Sequence, residues 1–305
     1  MINAITVNNL TKIYTVGFWQ KKFHALQEIS FCVPQGSIFG FLGANGAGKS
    51  TAIKCIIGLI SPTNGTTQIF NISSSSKESR RCLGFLPEHP RYYEFLTAIE
   101  FLELMARFKN VKISENKILE ILDMVKLSKV SDRYLGGFSK GMLQRIGIAQ
   151  TLLGDPKLLI LDEPLSGLDP IGRKMILDLL LQLKKDGKTI FFSTHILHDI
   201  ERICDEIAIL AQGKVQFCGS LHNRVFAHDD CYQLCFENVE NFDESHLQIH
   251  AVFHREERQM IFEIEGYENA KHIIEKMESF KARLLSFHPK KNPLEDFLLQ
   301  HIGHE

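Results

Sequence analysis

"SIFGFLGANGAGKST", residues 37–51, is the stretch whose reading decides the fold. Ile38 to Leu42 is an apolar run of the length of a short buried strand, and Ile53, Ile56, Ile57 and Ile60 then recur at helical spacing. Between them, Gly43-Ala44-Asn45-Gly46-Ala47-Gly48-Lys49-Ser50 satisfies GxxxxGKS, in the strand-loop-helix context that gives the motif its chemistry. Glycines let backbone N–H groups approach phosphate oxygens closely, while Lys49 reaches the β and γ oxygens and Ser50 offers a hydroxyl to Mg²⁺.

Working outward, the pattern stays that of alternating strands and helices. Pro62 and Gly65 close the first unit, and Thr97 with Glu100 reads as a capping box ahead of Phe101, Leu104, Met105 and Phe108. A second helix is expected after Ser114. "KLLILDEP" is a strand, "PIGRKMILDLLLQLKK" a helix capped by Asp169 with Pro170 at its first position, "KTIFFSTH" another strand, and "EIAIL" turns through Ala211-Gln212-Gly213 into "KVQFCG". This predicts an α/β fold with a mainly parallel sheet over residues 1–219, interrupted by a helical region at about 87–156. Beyond Gly219, residues 220–305 read as a small α+β accessory domain with an antiparallel hairpin around Arg255 to Glu257. Asn292 to Gly303 reads as an amphipathic docking helix.

Bulk composition excludes more than it assigns. Lys plus Arg number 35 against 36 Asp plus Glu, a net charge of -1, so no global attraction to nucleic acid or anionic lipid is expected. The opening MINAITVNNLTKIY lacks the pattern of a secretion signal, and no stretch approaches the ~20 apolar residues needed to cross a bilayer. The seven cysteines form no CxxC pair, and Cys32, Cys55 and Cys204 lie in apolar runs, where a reduced thiol is expected to pack as a small hydrophobe. His246, His250 and His254 share a four-residue spacing; on a strand the outer two would stand about 13 Å from the middle one, too far to share a metal.

Two further stretches carry chemistry. Leu158 to Leu161 would deliver Asp162 and Glu163 to the carboxyl end of a parallel strand, the side on which such sheets bind ligands. Asp162 is expected to hold Mg²⁺, directly or through water, and Glu163 to orient or deprotonate an attacking water. "GGFSKGMLQR", residues 136–145, reads as a helix capped by Ser139 with glycines ahead of it, a second place where backbone N–H groups would meet an anion.

Together with Tyr14 in "LTKIY", "FLPEHP" at 85–90, "SGLDP" and "FFSTH", these stretches resemble, in order, the nucleotide-binding subunits of ATP-binding-cassette (ABC) transporters, over roughly residues 4–219. The branch they resemble is that of bacterial exporters whose membrane subunit is a separate polypeptide. The resemblance implies a P-loop ATPase that uses ATP and Mg²⁺, with Gly43 to Ser50 and Thr51 around the triphosphate. It implies that Tyr14 stacks on adenine, the other reading being a tyrosine ending an edge strand, and that His195 contacts the γ-phosphate and the attacking water. Lys49, Glu163 and His195 would be catalytic; Ser50, Asp162 and Glu88 would face the metal. Ser139 and Gly141 would meet the γ-phosphate held by a second copy, and Asp169 would couple the two sites besides capping its own helix.

Two departures stand out. Lys140 and Met142 replace the second and fourth residues of the family's usual Ser-Gly-Gly-Gln, and Glu88 stands where Gln is usual. The stretch around Trp19, with Lys21 and Lys22, reads as an enlarged hairpin loop. The expectation is thus a paired ATPase, cytoplasmic and held at the inner face of the cell membrane by an integral-membrane permease, with no nucleic-acid partner. The alternative is an ABC-type ATPase acting on a non-membrane partner.

Overall fold

A computed structural model of the chain describes residues 2–16, 21–220, 231–237, 251–256, 259–280 and 282–289. Trp19, His246, His250 and the stretch 292–303 lie outside the described residues. The chain divides into two units, Met1–Leu221 and His222–Gly303.

The first unit holds two sheets. β1 (Asn3–Val16), β2 (Lys21–Pro34), β4 (Asn64–Ile69) and β5 (Ile72–Ser73) form an antiparallel sheet in the order β2-β1-β4-β5. β3 (Ile38–Leu42), β6 (Leu83–Leu86), β7 (Leu158–Leu161), β8 (Thr189–Thr194), β9 (Glu206–Ala211) and β10 (Lys214–Ser220) form the other, ordered β10-β9-β3-β8-β7-β6. All its pairings are parallel except the β9–β10 hairpin, which turns at Gln212 and Gly213. β3, β7 and β8 are buried at every position, as strands covered on both faces must be, and that is why β3 and β7 carry no charged or polar side chain and β8 has the apolar centre Ile190 to Phe192.

Helix α1 (Lys49–Ile56) turns Ala52, Ile53, Cys55 and Ile56 into a core shared with Ile5, Val7, Leu10 and Phe31 of the antiparallel sheet and Phe39, Phe41 and Phe191 of the parallel one. Phe31 stacks on Phe39 (centroids 5.8 Å apart) and on Phe191 (6.2 Å), so three rings from three strands tie the two sheets together. Cys55 is buried in that core and Cys204 elsewhere, beside Gly40, as expected of reduced thiols in apolar runs, burial pushing the Cys55 thiol up to about 11. Cys32 is different: the in-out alternation of β2 leaves it exposed, because Phe31 and Val33 take the inward positions.

The helices α2 (Ala98–Phe108), α3 (Glu115–Met124) and α4 (Lys140–Leu152) fall between β6 and β7. Each begins at the residue whose side chain satisfies an otherwise unpaired N–H: Thr97 accepts from Glu100 N (3.2 Å), Ser114 from Lys117 N (3.3 Å) and Ser139 from Met142 N (3.3 Å). Glu100 completes the capping box by accepting from Thr97 N at 2.8 Å. Arg145 of α4 donates to the carbonyls of Val125 and Lys126 (3.1 and 3.0 Å), binding α4 to the chain just past α3. α5 (Pro170–Lys185) is capped by Asp169, and α6 (Leu197–Ile203) follows β8.

In the second unit β11 (Cys231–Glu237), β12 (Ala251–Glu256), β13 (Gln259–Glu265) and β14 (Arg283–Pro289) form an antiparallel sheet ordered β12-β13-β11-β14. Glu256 pairs with Gln259 across the expected hairpin. Leu234, Phe236, Met260, Phe262 and Ile264 point from one face onto Ala270, Ile273 and Met277 of α7 (Tyr267–Ser279), a core of its own.

The Phe31–Phe39–Phe191 stack makes a direct prediction. Phe191→Ala should destabilise the protein by about 3–5 kcal/mol, read as a lower midpoint in urea unfolding, because the ring fills space that neither sheet can close.

Candidate active site

β3 and β8 are in parallel register with Leu42 opposite Thr194, and β7 runs beside β8 with Leu161 opposite Phe192. The three strands therefore end together, and the segments leaving them converge. Gly43 N donates to Thr194 O (3.2 Å), pinning the start of the loop; Gly213 N donates to Ala47 O (3.0 Å), pinning its far side. Two glycines are sterically required. A Cβ on Gly43 would lie 2.5 Å from Leu210 O, and one on Gly48 2.6 Å from Ala25 O, where φ is also +109°. No side chain caps α1, so the N–H groups of its first turn stay available to an anion.

Ala44, Asn45, Gly46, Gly48, Lys49, Ser50 and Thr51 surround one cavity of about 380 Å³, together with Glu88, Glu163 and two residues of β2, Phe23 and Ala25. The Lys49 ammonium is buried. It donates to Gly43 O (2.6 Å) and Ala44 O (3.2 Å) and pairs with Glu163 Oε1 at 3.2 Å. That last contact is an ion pair without the angle of a hydrogen bond, and Oε1 has no other donor. Glu163 Oε2 meets His195 Nδ1 at 3.0 Å. One carboxylate thus joins the phosphate loop to the segment after β8.

Beneath it, Ser193 Oγ donates to Asp162 Oδ1 (2.6 Å) and accepts from Glu163 N (2.9 Å). Asp162 and Glu163 are 4% and 6% exposed and Ser193 fully buried, so charges taken from water are met by fixed partners. Glu163 has φ +50°, a left-handed conformation uncommon for a side-chain-bearing residue. Ser50, Glu88 and Asp162 offer hydroxyl and carboxylate oxygens, the hard donors that Mg²⁺ takes. Among the described residues no three His, Cys, Asp or Glu side chains converge as a metal cage. That donor set suits a cation held by one or two carboxylates and completed by phosphate oxygens.

Tyr14 does not line the cavity; its cross-strand partner Phe23 does, with 57% of its surface exposed. β1 is an inner strand of its sheet, although at Tyr14 only β2 is paired, and Lys12 Nζ lies 5.2 Å from the Tyr14 ring. Asp162, His195, Ser139, Gly141 and Asp169 do not line this cavity either, although His195 meets its wall at Glu163 and Asp162 lies next to Glu163 in the chain. The first turn of α4 instead meets the chain's own "SGLDP" loop: Lys140 lies against Gly167, and Leu168 packs beside Gly141. Asp169 Oδ1 accepts from Gly172 N at 3.2 Å as a cap. Sequence reasoning missed Phe23 and Ser193; the strand alternation of β2 was a usable signal for the first, and a serine inside the apolar run "TIFFST" for the second.

The ABC transporter family matches residues 26–166. An ABC transporter ATP-binding protein of Synechocystis is 37% identical over 98% of this chain and 85% of its own length. The bacitracin transport ATP-binding protein BcrA of Bacillus licheniformis is 43% identical over 70% of this chain and 69% of its own. Among solved structures, the bacterial ABC transporter cassette MJ0796 is similar as a dimer (29% identity, TM-score 0.65, 71% of this chain and 98% of that one) and in a post-hydrolysis state bound to ADP and Pi (29%, 0.64, with the same coverage).

Gly48→Ala should reduce ATP affinity by about tenfold or more, measured by calorimetry, since the loop must move to relieve both the contact with Ala25 O and a strained φ.

Proposed function

The chain belongs to the ABC transporter family, as an ATP-binding subunit that hydrolyses ATP, and on that premise we propose that two copies close over ATP to drive a separate integral-membrane permease in the exporting direction. The observation that carries the reading is the Glu163 carboxylate, held between Lys49 (3.2 Å) and His195 (3.0 Å) at the cavity of the phosphate loop.

In this reading the triphosphate lies on the N–H groups of Gly43 to Thr51, and Lys49 exchanges the loop carbonyls for β and γ oxygens. Ser50, Asp162 and Glu88 would hold Mg²⁺, which when bound neutralises charge developing on those oxygens. Glu163 then accepts a proton from water, or orients it, toward the γ-phosphate, and His195 keeps the carboxylate aimed while touching the same phosphate. Tyr14 supplies a ring to the base. Ser139 and Gly141 contribute the N-terminus of α4 to the nucleotide of the second copy, and Asp169 lies beside them through its loop; the dimeric MJ0796 cassette supports this pairing. The exporting direction rests on the branch that the ordered motifs, and Glu88 in particular, resemble.

No helix among the described residues is long and apolar enough to cross a membrane, which favours attachment to the inner face of the cell membrane through the permease. Residues 220–305 are assigned a regulatory or dimer-stabilising role, because every nucleotide-facing motif precedes Gly219 and the second unit has its own core. Deleting residues 221–305 should leave ATP binding measurable. A well-folded truncation that has lost ATP affinity would overturn that assignment.

The central test is Glu163→Gln, which keeps shape but loses proton acceptance. Hydrolysis should fall by about 10²–10⁴-fold with ATP affinity retained, and the variant should accumulate as an ATP-dependent dimer on size exclusion. Adding Ser139→Arg should abolish that dimer while sparing ATP binding by each monomer. Wild-type hydrolysis in Glu163→Gln would remove the base, and a dimer indifferent to Ser139→Arg would remove the shared site.

A further inference from the structure

We propose that Ser193 is a positioning residue for both halves of the Asp162–Glu163 pair, a single buried hydroxyl that aims the metal-side carboxylate and holds the backbone of the base. The inference rests on the roles given above to Asp162 and Glu163 and assigns a role to Ser193 of the "FFSTH" stretch, where only His195 had one.

A serine hydroxyl has one hydrogen and two acceptor positions. Here the hydrogen is directed to Asp162 Oδ1 at 2.6 Å, a charge-assisted bond to a carboxylate that can only accept. The Glu163 N–H, 2.9 Å away, is the donor that fills an acceptor position. Both bonds are sealed from water, since Ser193 is fully buried and Asp162 and Glu163 nearly so. With Oδ1 engaged, the carboxylate cannot rotate without breaking that bond, and Oδ2 is left as its free oxygen. The second bond acts on a residue in a costly conformation: Glu163 has φ +50°, and its N–H is fixed by Ser193 and its carbonyl by Ser166 N (3.1 Å).

The place of Ser193 in the sheet explains why one side chain reaches both. β8 lies between β3 and β7, with Ser193 opposite Phe41 on one side and one residue past the Leu161–Phe192 pair on the other. The next residues extend the same contact surface. Thr194 O accepts from Gly43 N at the start of the phosphate loop, and His195 Nδ1 meets Glu163 Oε2. Ser193, Thr194 and His195 thus hold, in turn, the acidic pair, the phosphate loop and the carboxylate of the base. The neighbouring inward positions of β8 are Ile190, Phe191 and Phe192, with threonine at either end of the strand, and a buried hydroxyl here would be a liability without its two bonds.

The test compares Ser193→Ala with Ser193→Thr, which keeps the hydroxyl, in the full chain. For Ser193→Ala, ATP affinity in EDTA should stay within about twofold of wild type, while the Mg²⁺ concentration that half-restores tight ATP binding rises and kcat falls, each by about 10–100-fold. Ser193→Thr should return both toward wild type. The Mg²⁺ dependence of binding needs no turnover, so it separates orientation of Asp162 from general loss of activity. Wild-type Mg²⁺ dependence and kcat in a folded Ser193→Ala would overturn the proposal, as would an equal loss of ATP affinity in EDTA and in Mg²⁺. If the alanine variant does not fold, Ser193→Cys keeps the volume with a much weaker hydrogen-bonding group; the same shifts are expected there, and their absence overturns the proposal. Glu163→Gln run in parallel keeps the readings apart: its inactivity beside a wild-type-like Ser193→Ala would remove Ser193 alone.

Discussion

The parallel register of β3, β8 and β7 is the constraint on which the rest of the site depends. Phe41 opposite Ser193 and Leu161 opposite Phe192 bring three strands to a common end, so that Gly43, Asp162 and His195 leave the sheet side by side. A slip of one residue would send the buried rings to the opposite face and carry the phosphate loop away from the acidic pair. The stack of Phe31, Phe39 and Phe191 guards against it, because those rings interlock with a second sheet whose own register is separate. Core packing and site geometry are in this sense one problem, solved by the same strands.

Charge is the second constraint. Lys49, Asp162 and Glu163 are each less than a tenth exposed, and each has a directed partner: loop carbonyls for the ammonium, Ser193 for Asp162, Lys49 and His195 for Glu163. Asp199, on α6 just past His195, is a contrast. It is fully buried, its one hydrogen-bonding partner among the described residues is Arg173 Nη1 at 3.4 Å, and Oδ2 has none there. Burial pushes its carboxyl up, and the Arg173 guanidinium pulls it back only in part. α6 and α5 are joined by that imperfect pair, in contrast to the hydroxyl of Ser193, which has both a donor and an acceptor partner.

Helix starts do two kinds of work in this chain. Thr97, Ser114, Ser139 and Asp169 spend a side chain on the first turn of their own helix, whereas α1 begins at Gly48 with no such cap and turns its free N–H groups into the cavity. The departure of Lys140 from the family's glycine has a local consequence: its side chain lies against Gly167, so the start of α4 and the "SGLDP" loop meet within one chain.

Much of the fold was legible because its signals are local. Strand ends at Leu42 and Leu161, caps at Thr97, Ser114, Ser139 and Asp169, and the turn at Gly213 all follow from residues within a few positions of each other. The expectation that Lys49, Ser50, Asp162, Glu163 and His195 form a chemical set was equally legible, since residue type and order carry it, and the structure joins Lys49 to Glu163 and Glu163 to His195. What residues lie opposite one another was not, because pairing across strands depends on register between separate segments of the chain, 31 residues apart for Ser193 and Asp162. Only the folded sheet sets Ser193 against Asp162 and Glu163, puts Phe23 rather than its neighbour Tyr14 in the wall of the cavity, and leaves Cys32 outside while Cys55 and Cys204 are inside. The sequence by itself determined which groups are candidates for the chemistry; tertiary structure decided which of them touch, because contact is fixed by the packing of two sheets and not by proximity along the chain.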